Sequence, residues 1–141
     1  MTANWSPERI EAVAAAVVDI AVKIHVALGP GLLESVYVRI MRRELEKRGF
    51  KVESEVPVQV PWEGEDLGVG FRADLIVDGC VLIEAKSVEK NAPVHAKQAL
   101  TYLRLLDLPL AIILNFGQAL MKDGIQRVAN GYYGPKNSAR E

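Results

Sequence analysis

Apolar residues recur at steps of three and four through Ile10, Val13, Val17, Ile20, Ile24 and Leu28, so one face of a long helix packs inward. Ser6-Pro7-Glu8 marks its start, with a side-chain acceptor at the cap, proline at the first helical position and an acid in the first turn. Gly29-Pro30-Gly31 ends it. The spacing predicts a second helix over about Leu32 to Arg48, with Leu33, Val36, Tyr37, Ile40 and Leu45 inward and Gly49 placed to close it in a left-handed conformation. From Lys51 the period changes to two, through Val52, Val56, Val58 and Val60, and Pro57 assigns this run to a sheet edge or a strand start. Trp62 to Gly68 reads as a polar turn, and Phe71 to Val77 and Cys80 to Lys86 as the next strands. Asn91-Ala92-Pro93 opens a helix to about Leu106, with Ala99, Leu103 and Leu106 inward. Leu110 to Asn115 is apolar almost throughout and reads as a strand covered on both faces. A short helix is expected near Ile125 to Ala129, and residues 131–141 read as a frayed tail. The expected order ααβββαβ is that of an α/β fold, a mixed sheet flanked by helices, forming one domain over residues 1–130.

The 141-residue length agrees with one domain. Half the residues are hydrophobic and a quarter charged, the balance of a soluble globular protein and not of a disordered one. No apolar run reaches the roughly 18 residues of a membrane span, and MTANWSPERI lacks the basic-then-apolar pattern of a secretory signal, so a cytoplasmic protein without a membrane partner is expected. Cys80 is the only cysteine, which excludes an intramolecular disulfide and a cysteine-based zinc site. A net charge of −1 gives no global attraction for a polyanion. The local exception is the second helix, with Arg39, Arg42, Arg43, Lys47 and Arg48, partly neutralised by Glu44 and Glu46.

The stretch ADLIVDGCVLIEAKSV, from Ala73, looks like a β-hairpin interrupted by Asp74, Glu84 and Lys86. Register decides whether these residues can act together. A two-residue Asp78-Gly79 loop would pair Val77 with Cys80 and point Asp74 and Glu84 to opposite faces. A three-residue loop, Asp78-Gly79-Cys80, pairs Val77 with Val81 and sets Asp74 opposite Glu84. Asp74, Glu84 and Lys86 then share one face with Ile76 and Leu82, while Leu75, Val77, Val81, Ile83 and Ala85 fill the other. Apolar patterning permits both registers, and chemistry favours the second. Two carboxylates about 5 Å apart across a strand pair repel unless a cation lies between them. Mg²⁺ or Mn²⁺ suits hard oxygen ligands from Asp74, Glu84 and the Ala85 carbonyl, and Lys86 would hold the attacking water or stabilise charge on a phosphorane oxygen. The plainer alternative is an exposed edge with an internal ion pair.

Over the span from Gly31 to about Gly117 the chain resembles the GxxExxY family of the PD-(D/E)XK nuclease superfamily. Gly31-Leu-Leu-Glu34-Ser-Val-Tyr37 matches the naming pattern, Ala73-Asp74 with Glu84-Ala-Lys86 matches the superfamily core, and Gln98 and Tyr102 resemble the Q-x-x-x-Y element of its RecB-like branch. Ala73 stands where the superfamily name has proline, at a position that carries no ligand. The resemblance implies a restriction-endonuclease-like core and a divalent metal. It adds Glu34 as a helix-borne acid to the metal site, although a carboxylate in a first helical turn is also favoured by the helix dipole.

The residues expected to carry chemistry are therefore Glu34, Asp74, Glu84, Lys86 and Gln98. Gln98 would orient Lys86 or a phosphate, and Tyr102, Arg39, Arg42 and Arg43 would contact substrate. Gln98 and Tyr102 share a helix face with His95, which by itself describes an ordinary wet side. Tyr37 reads as a packing residue with a bonded hydroxyl, and His25 as a satisfied histidine near a helix end. These assignments describe a metal-dependent phosphodiesterase acting on DNA or RNA. The alternative is a nuclease-like fold serving as a nucleic-acid-binding or assembly subunit, with a homodimer or a protein partner as its assembly.

Overall fold

The computed structural model describes residues 5–132 and 134. Its elements are α1 (Pro7–Leu28), α2 (Glu34–Lys47), β1 (Val52–Trp62), β2 (Glu65–Val77), β3 (Val81–Lys86), α3 (Pro93–Leu106), β4 (Leu110–Asn115), a single 3₁₀ turn (Met121–Gly124) and β5 (Ile125–Ala129). The strands form one sheet in the order β1-β2-β3-β4-β5. Only β3 and β4 are parallel, joined across α3; the other pairs are antiparallel. This is the mixed sheet with helices of a restriction-endonuclease-like fold, and Pro57 lies on its edge strand as expected.

The central strands are buried on both faces because helices cover both. Leu75, Val77, Val81, Ile83 and Ala85 pack against α1 and α2 through Ile10, Val17, Tyr37 and Leu45. Ile76, Leu82, Ala111 and Ile113 pack against Ala99 and Leu103 of α3. The alternation along β2 and β3 thus assigns each apolar set to a different helical layer. Ser6 caps α1, its hydroxyl accepting from Arg9 N at 3.1 Å, and Gly49 follows α2 at φ 93°.

Four expectations need correction. Ile125 to Ala129 is a strand, because the edge of β4 away from β3 offers a row of backbone groups that a following segment can pair with. The short helix expected there gives way to that pairing. The turn between β1 and β2 shrinks to Glu63-Gly64, both at positive φ, and β2 begins at Glu65. The outer half of this hairpin has little core to face, as exposed Trp62, Leu67 and Val69 show, so its strands carry no burial pattern. Helix α2 begins two residues late, leaving Leu33 as its exposed cap instead of an inward residue. Tyr132 is not frayed: it is buried, and its hydroxyl bonds Glu11 Oε2 at 2.6 Å. The rest of the expected tail lies outside the described residues, except Gly134.

Asn115, fully buried at the end of β4, fixes the loop that follows β3. Its Oδ1 accepts from Val88 N at 3.1 Å and Gly117 N at 3.0 Å, and its Nδ2 donates to Asn91 Oδ1 at 2.8 Å. The approach is close enough that a Cβ on Gly117 would stand 2.2 Å from the Val88 carbonyl oxygen. Replacing Asn115 by alanine strands both backbone N–H groups, and an equilibrium urea titration is expected to show a loss of about 2–4 kcal/mol. An unchanged midpoint would mean that water substitutes for the side chain at no cost.

Candidate active site

The hairpin register decides the geometry. Val77 pairs with Val81 and Leu75 with Ile83, so the loop has three residues. Asp78 and Gly79 are both left-handed, at φ 50° and 65°, and Cys80 N donates to Val77 O at 3.0 Å. Asp78 tolerates this conformation with its carboxylate tied to Arg9 at 2.5 Å and to Lys51 N at 2.8 Å. Extending the pairing by one residue sets Asp74 opposite Glu84.

At that point the β2–β3 ladder stops and side chains take over. Glu84 Oε2 accepts from Asp74 N at 3.0 Å, and Asp74 Oδ2 accepts from Ala85 N at 2.9 Å. Each carboxylate thus holds a backbone N–H of the facing strand with one oxygen. Neither makes an ion pair among the described residues. Burial pushes the Glu84 carboxyl up to about 7, helped by the charge of Asp74, while its bond from Asp74 N and the Lys86 ammonium pull the other way. Asp74 is raised too, mainly by burial and further by Glu34 and Glu55.

A cleft of about 620 Å³ opens beside Asp74, between α2 and the β1–β2 hairpin. Glu34, Arg39 and Arg42 line it from α2, Glu55 from β1 and Arg72 from β2. Arg43 is not among its lining residues, although it shares the basic helix. Glu55 and Arg72 went unnoticed in the sequence because exposed charges on an edge strand and its neighbour look like an ordinary solvated face. Only the register reveals Glu55, which falls across from Asp74 between the pairs Ser54–Leu75 and Val56–Ala73, at φ 49°.

Lys86 is half-buried, close enough for its charge to act on both acids, and its carbonyl accepts from Phe116 N at 2.8 Å. Gln98 is exposed and makes no side-chain hydrogen bond among the described residues, so the expected link to Lys86 is not seen. Tyr102 stacks on Phe71, and burial together with the charge of Glu84 raises its hydroxyl pKa, which puts it at the border of the site. Tyr37 is structural: its buried hydroxyl donates to Gly29 O at 2.6 Å and accepts from Leu32 N at 3.2 Å, and its ring stacks on Phe116. His25 is satisfied by Gln118 O at 2.8 Å, and His95 is half-buried.

Among the described residues no three Asp, Glu, His or Cys side chains gather as a ready metal cage. The residues present nevertheless fit Mg²⁺ or Mn²⁺. Asp74 and Glu84 each keep one hard oxygen free of any described hydrogen bond, and such ions commonly take one or two carboxylates and retain water.

A sequence profile described as the PD-(D/E)XK nuclease superfamily matches residues 11–128, and the chain belongs to that superfamily. Nucleases of this class generally use divalent metals such as Mg²⁺. No curated protein and no solved structure matches the chain. No helix among the described residues is long and apolar enough to cross a membrane.

Asp74 and Glu84 make stability depend on pH. Both carboxyls bind protons more tightly in the folded chain than in the unfolded one, so their contribution is most favourable at low pH and is lost as pH rises. For Glu84 the window runs from its ordinary 4.5 to about 7. With chelator present, Tm is expected to fall across that window, and Glu84→Gln to flatten the dependence, as differential scanning calorimetry would show. A native Tm that rises across the window would contradict the assignment.

Proposed function

We propose that this chain is a nuclease of the GxxExxY kind: a metal-dependent phosphodiesterase that hydrolyses nucleic acid. The observation that carries the reading is the reciprocal clasp of half-buried Asp74 and buried Glu84, which sets two acids beside Lys86 and leaves an oxygen of each unused. In this reading those two oxygens and the Ala85 carbonyl hold Mg²⁺ or Mn²⁺, with Glu34 completing the acidic site from α2. The bound ion would supply Lewis-acid polarisation of the phosphate and its water. Lys86, two residues beyond Glu84 on the same strand face, orients the attacking water or stabilises the negative charge that grows on the phosphorane oxygens. Gln98 and Tyr102 border the phosphate from α3, and Arg39 and Arg42 lie along its approach.

A second reading has one observation in its favour. Gln98 is exposed and apart from Lys86, which fits a nuclease-like fold that binds nucleic acid or a protein partner with little turnover.

Incubation with single- and double-stranded DNA and RNA in Mn²⁺, Mg²⁺ or chelator separates the two. The enzyme reading expects metal-dependent cleavage that falls by roughly 10²–10³-fold in Lys86→Ala. In that variant the rise in Tm on adding millimolar Mn²⁺ should survive, whereas Glu84→Gln should abolish most of it. Equal cleavage by the native protein and Lys86→Ala would sink the assignment, and no cleavage of any substrate would leave the binding subunit.

A further inference from the structure

The cleft beside Asp74 has two walls of different origin. On α2, Ser35, Val38, Arg39 and Arg42 recur at helical spacing along the face that lines it. On β2, Arg72 and Asp74 are two residues apart, so their side chains leave the same side of the strand. Arg42 reaches from α2 to β1, its Nη1 donating to Ser54 Oγ at 2.5 Å, while Nε faces Glu46 at 3.5 Å. At Arg42 and Ser54, therefore, the helix and the sheet edge stand no further apart than one arginine side chain reaches. Arg39 and Arg72 enter no ion pair or side-chain hydrogen bond among the described residues, leaving both guanidinium groups available.

We infer that this cleft admits one nucleic-acid strand and not a duplex, with Arg39 and Arg72 taking phosphates of that strand from opposite walls. The inference rests on the nuclease reading and adds the form of its substrate. A duplex carries two backbones, separated by about 6 Å across even its narrower groove, and a cleft that narrows to one side chain's reach at Arg42 does not have room for both. A single strand needs only a cationic track for its phosphates. The charges also explain why a cation matters: Glu34, Glu55 and Asp74 oppose the three arginines in the same cleft. Without metal the cleft is nearly balanced, and removing negative charge from its floor turns it into an anion site.

That balance permits a test independent of metal and of cleavage. Asp74→Asn protein is titrated in chelator with fluorescein-labelled twelve-nucleotide single strands of DNA and RNA and with a blunt-ended hairpin duplex, following anisotropy over a range of salt. Glu55→Gln serves as the parallel background should Asp74→Asn fold poorly. Both single strands should bind, and the duplex at least about tenfold more weakly. Adding Arg39→Ala or Arg72→Ala should each lower the slope of log K against log salt by about 0.7, whereas Arg104→Ala, on exposed surface of α3, should leave it unchanged. Equal affinity for duplex, or slopes indifferent to both arginines, would overturn the inference. Strand binding with the expected slopes, together with no Mn²⁺-dependent cleavage by the native protein, would uphold the cleft and refute the enzyme reading. Cleavage of duplex as fast as of single strands would refute the cleft instead.

Discussion

Desolvation disfavours the charge on both half-buried Asp74 and buried Glu84, and neighbouring acids add to it, Asp74 acting on Glu84, and Glu34 and Glu55 on Asp74. The strands compensate in part by giving each acid a backbone N–H from the other strand where their ladder ends. This arrangement requires an odd hairpin loop, since a two-residue turn would send the acids to opposite faces. Asp78, tied to Arg9 and Lys51, and Gly79, both left-handed, provide it. What remains after those bonds is an excess of buried negative charge with Lys86 nearby, a local state best relieved by a proton or a divalent cation.

The rest of the fold holds further elements against that strand end. Phe116, bonded through its N–H to the Lys86 carbonyl, stacks on Tyr37, and Tyr37 ties down the Gly29 and Leu32 backbone just ahead of Glu34. Ser87, next to Lys86, donates to Leu32 O at 2.8 Å. The glycine, acid and tyrosine of Gly31, Glu34 and Tyr37 thus have separate physical tasks. Gly31 takes φ 108°, Tyr37 clasps the bend, and Glu34 is left at the mouth of the cleft.

Most of the architecture was legible because burial writes a period into the chain. The stripe from Ile10 to Ile24, the fully apolar β4 and the alternation of Leu75, Val77, Val81 and Ile83 against Ile76 and Leu82 each matched a face that the fold covers. Legibility failed where pairing, not burial, fixes structure. β5 and the outer half of the β1–β2 hairpin are strands chiefly through backbone pairing, with mostly exposed side chains. Asp74, Glu84 and Lys86 were found because charge on otherwise apolar strands is conspicuous. Glu55 and Arg72 were not, since exposed charge near a sheet edge carries no signal until the register shows what stands opposite.

If Asp74 and Glu84 hold the proposed metal, its binding must displace the protons that share their site. Calorimetric titration of Mn²⁺ into the native protein in two buffers of different ionisation enthalpy measures this directly. Near pH 6 metal binding should release about one proton per ion, fading by about pH 8, and Glu84→Gln should release far less. Binding with no proton release, or release unchanged by Glu84→Gln, would show that the cation is held elsewhere and that the buried acids serve another purpose.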